Sequence, residues 1–346
     1  IMRALAHGKD VVTGNKALLA EHGGEIFREA AAHGLAVGFE ASVGGGVPII
    51  RTLREALAGD RQRAVYGIVN GTCNSILTTM TESGVEFATA LADAQKTGIA
   101  EANPATDIEG HDAAHKLCLL VTLAFGVLLT PAQVYTEGIA RITQADIAYA
   151  RELGYTIKLL AIAKDDGGAI EARVHPTMIP QRHLLAGVGG AFNAIYIHGD
   201  ALGATMYSGQ GAGQMPTATA VMADVLEIAR HRMAASSSRT HALGFPVHLM
   251  KRASVKPMDD VVCEYYLRFM APDKPGVLGA IASVLGRHGL SIASVIQKDR
   301  GAMRTVPVIM RTHEAPERNL KRALEQIRKR NLVSAAPMFI RIEEKL

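Results

Sequence analysis

The chain has 346 residues, 48% hydrophobic and 20% charged, with a formal net charge of +4. That length supports two or three domains with cores of their own, and the interspersed acids and bases form no concentrated basic stripe for a nucleic acid. The longest apolar run, 117–129, is shorter than the roughly 20 residues a spanning helix requires, so a membrane is not an expected partner either.

Residues 10–13 (DVVT) read as a short β-branched strand, followed by a loop through Gly14, Asn15 and Lys16. Apolar spacing through Leu18, Leu19, Ile26, Phe27 and Ala30 then predicts a helix, and 35–43 (LAVGFEASV) returns as a strand. This is one βαβ unit, whose crossover is expected to be right-handed. A glycine triplet at 44–46 follows, and Pro48 opens the next helix where proline is tolerated. Doubly wound folds bind ligands at loops leaving the carboxyl ends of parallel strands, so Lys16 and the glycine triplet point to one edge. No GxGxxG follows a strand anywhere in the chain. The sequence opens on Ile1 inside what reads as a helix, with no secretory signal, and the first part of a nucleotide domain is expected upstream.

Residues 67–80 (GIVNGTCNSILTTM) read as a strand running into a helix, where Asn70, Thr72 and Asn74 serve capping as well as they would serve a ligand. Segment 98–125 then gathers Glu101, Asp107, Glu109, Asp112 and Lys116 just ahead of an apolar helix. Asp112 and Lys116 are four apart and share a helix face, with the acid N-terminal to the base. On an exposed helix such a pair is worth little. Here the ammonium sits where an uncharged run begins, and a partly desolvated lysine beside carboxylates is open to tuning for proton transfer.

Further on, 153–173 reads as a helix and strands, and the stretch from 191 to 207 as strands with turns. His175 before Pro176 reads as a structural turn. Gly209, Gly211 and Gly213 precede a helix starting near Pro216 or Thr217, which suits either a tight turn or a phosphate loop. Composition shifts at Ser236 as if into a linker. Beyond it come a strand at 264–271, a helix through His288, strands at 291–297 and 304–311, a helix at 316–330 and a strand at 335–342. That order, βαββαβ, is ferredoxin-like, with two helices on one face of an antiparallel sheet. The basic residues of 318–330 read as one solvated helix face. Cys73, Cys118 and Cys263 are widely separated, with no CxxC or Cys/His spacing, which fits a reducing compartment and no zinc site.

Two passages carry a family resemblance. Gly98, Glu101, Pro104, Asp107, Gly110, Asp112, Ala113, Lys116 and Leu117 are similar to the substrate-site signature of homoserine dehydrogenases, with Ile99 and Asn103 where the family commonly has tyrosine and aspartate. Segments 67–80 and 209–224 resemble two further stretches of the same family. Asp273, Pro275, Gly276, Val277 and Leu278 resemble the turn of an ACT domain. The resemblance covers essentially the whole chain and implies an α/β fold in three parts. An incomplete Rossmann-like nucleotide-binding domain (1–47) is closed by a return segment (208–245). An α+β catalytic and dimerisation domain (48–207) comes between these, and a linker (246–262) leads to a ferredoxin-like ACT domain (263–346).

The implied activity is the NAD- or NADP-dependent interconversion of L-aspartate 4-semialdehyde and L-homoserine, in threonine, methionine and isoleucine biosynthesis. Carried over residue by residue, the resemblance makes Lys116 the proton donor, with Asp112 orienting it or sharing the substrate. Glu101 would hold the substrate ammonium and the Gly98 backbone would shape the pocket. Lys16 would lie between nicotinamide and substrate, and Gly211 near the cofactor. A monovalent cation, sodium, would be bound by Glu40 and the carbonyls of Val43, Gly45 and Val47. The resemblance further implies a cytoplasmic homodimer or homotetramer whose ACT domain takes an amino-acid effector. The alternative is a non-catalytic oligomeric fragment with an amino-acid-binding ACT module. On that view the chain as given binds NADPH weakly or not at all, and the coding sequence upstream of Ile1 separates the two readings.

Overall fold

The computed structural model describes residues 1–165, 167–234, 241–298 and 305–346. The composition shift at Ser236 and the first residue of the predicted 304–311 strand lie outside the described residues. By compactness the chain divides into two units, one of residues 1–141, 159–175 and 187–255, the other of 142–158, 176–186 and 256–346. Strands Tyr155–Asp165 and Ile170–Pro180 each begin in one unit and end in the other.

In the first unit, Val11–Val12 and Val37–Gly38 pair in parallel across the helix Lys16–Ala32. Asn15 caps that helix by accepting from the Leu18 N–H, and Leu19, Gly23, Ile26, Phe27 and Ala30 form its buried stripe at helical spacing. The predicted strand at 35–43 is shorter than expected, because the chain turns through a 3₁₀ segment, Glu40–Ser42, immediately after Gly38 and Phe39. Tertiary partners decide this turn. The Glu40 N–H donates to Asp224 on the returning helix Gln214–Met233, and the Glu40 carboxylate accepts from the Ile50 and Arg51 N–H groups. A side chain at Gly38 would lie 2.7 Å from the Asp224 Cβ, so only glycine lets that helix come so close.

The rest of the first unit is an antiparallel sheet in the order Tyr155–Asp165, Gln62–Ile68, Phe192–Gly199, Gly203–Gln210. Helix His111–Phe125 packs on Gln62–Ile68, and helix Gly71–Ser83 on Phe192–Gly199. His175 and Pro176 do not make the expected turn. They lie inside strand Ile170–Pro180, with His175 fully buried and its Nε2 2.8 Å from an Arg173 guanidinium nitrogen. Pro176 falls just after the parallel pairing of Arg173 and Val174 with Tyr135 and Thr136, where its missing N–H takes nothing from that ladder.

The second unit carries the βαββαβ order at Val262–Pro272, Val277–Arg287, Ile292–Gln297, Thr305–Thr312, Glu317–Lys329 and Met338–Ile342. Alternation along the first strand turns Tyr265, Leu267 and Phe269 into a core shared with Ile281, Leu285, Leu320 and Ile327 from the two helices. The opposite-facing Tyr266 and Arg268 both donate to Asp146, a fully buried residue in the first turn of helix Gln144–Glu152. Glu317 accepts a two-pronged pair from Arg341, both side chains being buried. Part of the segment expected to be a linker is ordered: Lys251–Arg252 pairs in parallel with Val127–Leu128.

Candidate active site

Strand Gln62–Ile68 leads through Val69 and Asn70 into helix Gly71–Ser83, and this junction organises the site. Asn70 caps the helix, its Oδ1 accepting from the Cys73 N–H at 2.8 Å. Its amide nitrogen is thereby left to donate elsewhere, to Asp107 at 2.7 Å and to Asp112 at 2.9 Å. Asp107 belongs to the short helix Ala105–Ile108, and Gly110, at φ +88°, reverses the chain into helix His111–Phe125. A left-handed residue is required there, and a side chain would press on Thr136 and Val174.

On that helix the spacing of four places Asp112 and Lys116 side by side. Lys116 Nζ donates to Asp112 Oδ2 at 2.7 Å and to the Val69 carbonyl at 2.6 Å. Lys16, in the first turn of its own helix, lies with Nζ 3.2 Å from Asp112 Oδ1. Burial pushes the Asp112 carboxyl up, but the Lys116 and Lys16 ammoniums and the hydrogen bonds from Lys116 and Asn70 outweigh it and hold the group below the usual carboxylate range. An ammonium has three donors. Two of those on Lys116 are held by the protein, and the third is available to the cavity that Lys116 lines.

That cavity measures about 640 Å³. Lys16, Gly98, Glu101, Asp112, Lys116 and Gly211 all line it, so the residues singled out from sequence for substrate and cofactor come together in one place. Lys116 and Asp112 are nearly buried, while Glu101 stands exposed at the rim. Asp107 and Asn70 also line the cavity. Sequence analysis leaves Asn70 open between cap and ligand and carries Asp107 only within the resembling signature, with no specific role for either.

The cavity wall at 210–213 suits a dinucleotide. Gly213, at φ +129°, ends the cavity wall and leads into the 20-residue helix Gln214–Met233. A side chain at Gly211 would come within 2.1 Å of Asn193, so the glycine seats this segment against the strand beneath it. Glu40, Gly45 and Val47 line a second cavity of about 320 Å³. Val43, fully buried, ends the 3₁₀ turn and is not among its walls. Burial raises the Glu40 carboxyl above its ordinary range, against the lowering effect of the two N–H groups it accepts. Among the described residues no cluster of three or more His, Cys, Asp or Glu could hold a metal, so a cation here would depend on backbone carbonyls beyond this one carboxylate.

Comparison with known proteins follows the same lines. A family model described as homoserine dehydrogenase matches residues 48–226, and an ACT domain model matches 265–331. The chain is 44% identical to a homoserine dehydrogenase of Neisseria gonorrhoeae over 343 residues, covering 99% of this chain and 79% of that protein. A Pseudomonas aeruginosa homoserine dehydrogenase is 43% identical, with 99% and 80% covered. The crystal structure of a homoserine dehydrogenase from Thiobacillus denitrificans superposes with a TM-score of 0.94 at 45% identity, over 99% of this chain and 78% of that one. A hyperthermophilic archaeal homoserine dehydrogenase, solved in complex with NADPH, has a TM-score of 0.59 at 29% identity, over 66% of each chain.

Proposed function

The chain belongs to the homoserine dehydrogenase family, NAD(P)-dependent oxidoreductases that interconvert L-aspartate 4-semialdehyde and L-homoserine, and from that premise we propose which of its residues carry the reaction. NAD(P)H, when bound, supplies the hydride that reduces the aldehyde. The protein's residues supply orientation and a proton. Negative charge grows on the aldehyde oxygen as the carbonyl is reduced, and a donor aimed at that oxygen both stabilises the charge and completes the alcohol. Lys116 is this donor. The observation that carries the reading is its pair of fixed hydrogen bonds, to Asp112 and the Val69 carbonyl, which commit two N–H groups and leave the third for the cavity.

Glu101, at the rim, takes the substrate ammonium, and the left-handed turn at Gly98 shapes the wall beside it. Asp112 orients Lys116 and carries the charge that keeps Lys16 at the cavity, between substrate and nicotinamide. Gly211 and its neighbours border the cofactor. The return helix Gln214–Met233 supports assigning 1–47 and 208–245 to the nucleotide-binding domain, because it packs on the Val37–Gly38 strand through Asp224. A crystal structure with L-homoserine is expected to place the hydroxyl within hydrogen-bonding reach of Lys116 Nζ. A hydroxyl held elsewhere in the cavity overturns the assignment.

Four finer readings belong to the same proposal. Sodium occupies the cavity beside Glu40, supported by the joint presence there of Glu40, Gly45 and Val47. The ACT domain takes an amino-acid effector. The enzyme works as a homodimer or homotetramer. Its place is the cytoplasm, in keeping with the burial of all three cysteines, Cys73, Cys118 and Cys263.

A further inference from the structure

One buried side chain touches the anchor of Lys116 without lining the cavity. Asn193 has no exposed surface. Its amide nitrogen donates to the Val69 carbonyl at 3.2 Å, the same oxygen that accepts from Lys116 Nζ at 2.6 Å. A carbonyl oxygen has two lone pairs, and here both have a donor. Among the described residues Asn193 Oδ1, also buried, has no hydrogen-bond partner. Only the donor end of this amide is therefore satisfied, and what it holds is the oxygen against which the lysine is braced.

The surroundings fix Asn193 from three sides. It is the second residue of strand Phe192–Gly199 and pairs with Gly209 across the hairpin. Asn74, one turn beyond Asn70 on helix Gly71–Ser83, donates to the carbonyls of Val188, Gly190 and Phe192 and so pins the chain that enters the strand. Gly211 closes the remaining side, since a side chain there would meet the Asn193 amide at 2.1 Å. Helix Gly71–Ser83 therefore governs the site twice, with Asn70 holding the acids and Asn74 holding the route to Asn193.

We propose that Asn193 is a positioning residue for Lys116: by occupying the second lone pair of the Val69 carbonyl it fixes the direction of the lysine's remaining N–H, and Gly211 is glycine because Asn193 fills the space beside it. The inference rests on the reading of Lys116 as proton donor. Without the asparagine the carbonyl has a vacant lone pair and a free rotation of a few degrees, and the ammonium can turn so that a second of its N–H groups shares that oxygen. Substrate binding is untouched, because Asn193 does not reach the cavity.

The test is a double-mutant cycle of Asn193→Ala and Lys116→Ala, with Asn193→Leu as a bulkier apolar variant of the same branching that occupies the space without a donor. Displacement of a reacting group by a fraction of an ångström to one ångström costs up to about 10²-fold, so either Asn193 variant is expected to lower kcat between about tenfold and 10²-fold. KM for the aldehyde should stay within about threefold, the pattern for an interaction made only in the transition state. In the Lys116→Ala background the same substitution should change kcat by less than about twofold, because the group it positions is gone. A second readout needs no turnover: in ¹⁵N-lysine-labelled protein held well below each variant's melting temperature, exchange of the Lys116 ammonium protons with water should accelerate in Asn193→Ala and Asn193→Leu. An equal loss of kcat with and without Lys116, or unaltered exchange in both variants, overturns the inference. If Lys116→Ala alone leaves turnover intact, the proton-donor reading fails instead, and the exchange measurement still decides whether Asn193 holds the lysine.

Discussion

Lys16 Nζ stands 3.2 Å from Asp112 Oδ1 while Lys116 Nζ stands 2.7 Å from Oδ2, so a single nearly buried carboxylate carries an ammonium on each oxygen. The two lysines come from different helices, one at the end of the parallel pair and one at the start of the apolar helix. Asp112 thus ties helix Lys16–Ala32 to helix His111–Phe125 at the cavity.

Replacing Lys116 with alanine should lower kcat by about 10² to 10⁴, the range for loss of a positioned general acid. The circular dichroism spectrum should be unchanged, because the aliphatic stem lies at the mouth of the helix core and alanine preserves the helix. Turnover within a few-fold of the parent would remove Lys116 from the role.

Glu101→Ala acts on binding instead. The side chain stands at the rim, and if it serves the substrate ammonium as proposed, KM for aspartate semialdehyde should rise by about tenfold or more, in line with about 1.5 to 3 kcal/mol for a hydrogen bond to a charged group, with kcat little changed. Steady-state kinetics read both constants, and an unaltered KM would assign the ammonium to Asp107.

Asp112 makes stability depend on pH in a definite direction. The folded chain holds its carboxyl below the ordinary 3.8, so on acidification the unfolded chain takes up this proton first. The contribution of the ionised group is complete above that ordinary value and is lost as pH falls through the lower folded-state pKa. Urea unfolding of the parent and of Asp112→Asn should therefore show a gap in stability at neutral pH that narrows in acid. A gap that stays constant down to about pH 3 would mean the carboxylate is no better placed folded than unfolded.

Sodium should be visible as a stabiliser. A ligand that binds only the folded state raises its stability by mass action, so the melting temperature should be higher in sodium chloride than in choline chloride at equal ionic strength. Glu40→Gln keeps an acceptor for the Ile50 N–H but gives up the charge, and should lose the sodium effect. Equal shifts in parent and variant would place the cation elsewhere.

What the sequence disclosed was local. Asp112 and Lys116 are one helical turn apart, so their meeting was written into the spacing, and the C-terminal βαββαβ order was legible in alternating strands and in two helices with an apolar stripe each. What it concealed was set by distant partners. The amide of Asn70 reaches acids 37 and 42 positions away, and Asp146 collects Tyr266 and Arg268 from more than a hundred positions off. The strand expected through residue 43 stops early because Glu40 is claimed by Asp224, Ile50 and Arg51, none of which its neighbours announce. His175 and Pro176 carry a turn-like dipeptide, yet the gap in the ladder where the proline falls, between the stretches paired with Tyr135–Thr136 and with Arg341–Ile342, could be known only once those partners had been placed.

The brace on Lys116 has a corollary for the return journey. An interconversion runs both ways over one barrier, and the atom that hands a proton to the nascent alkoxide must, in oxidation, accept it back from the alcohol. Because two of its positions are occupied by fixed acceptors, the vacancy created on losing a proton opens along the same line on which that proton departed. On the proposed reading of Lys116 as proton donor, a single nitrogen steered by a carbonyl and a carboxylate serves either sense of the reaction.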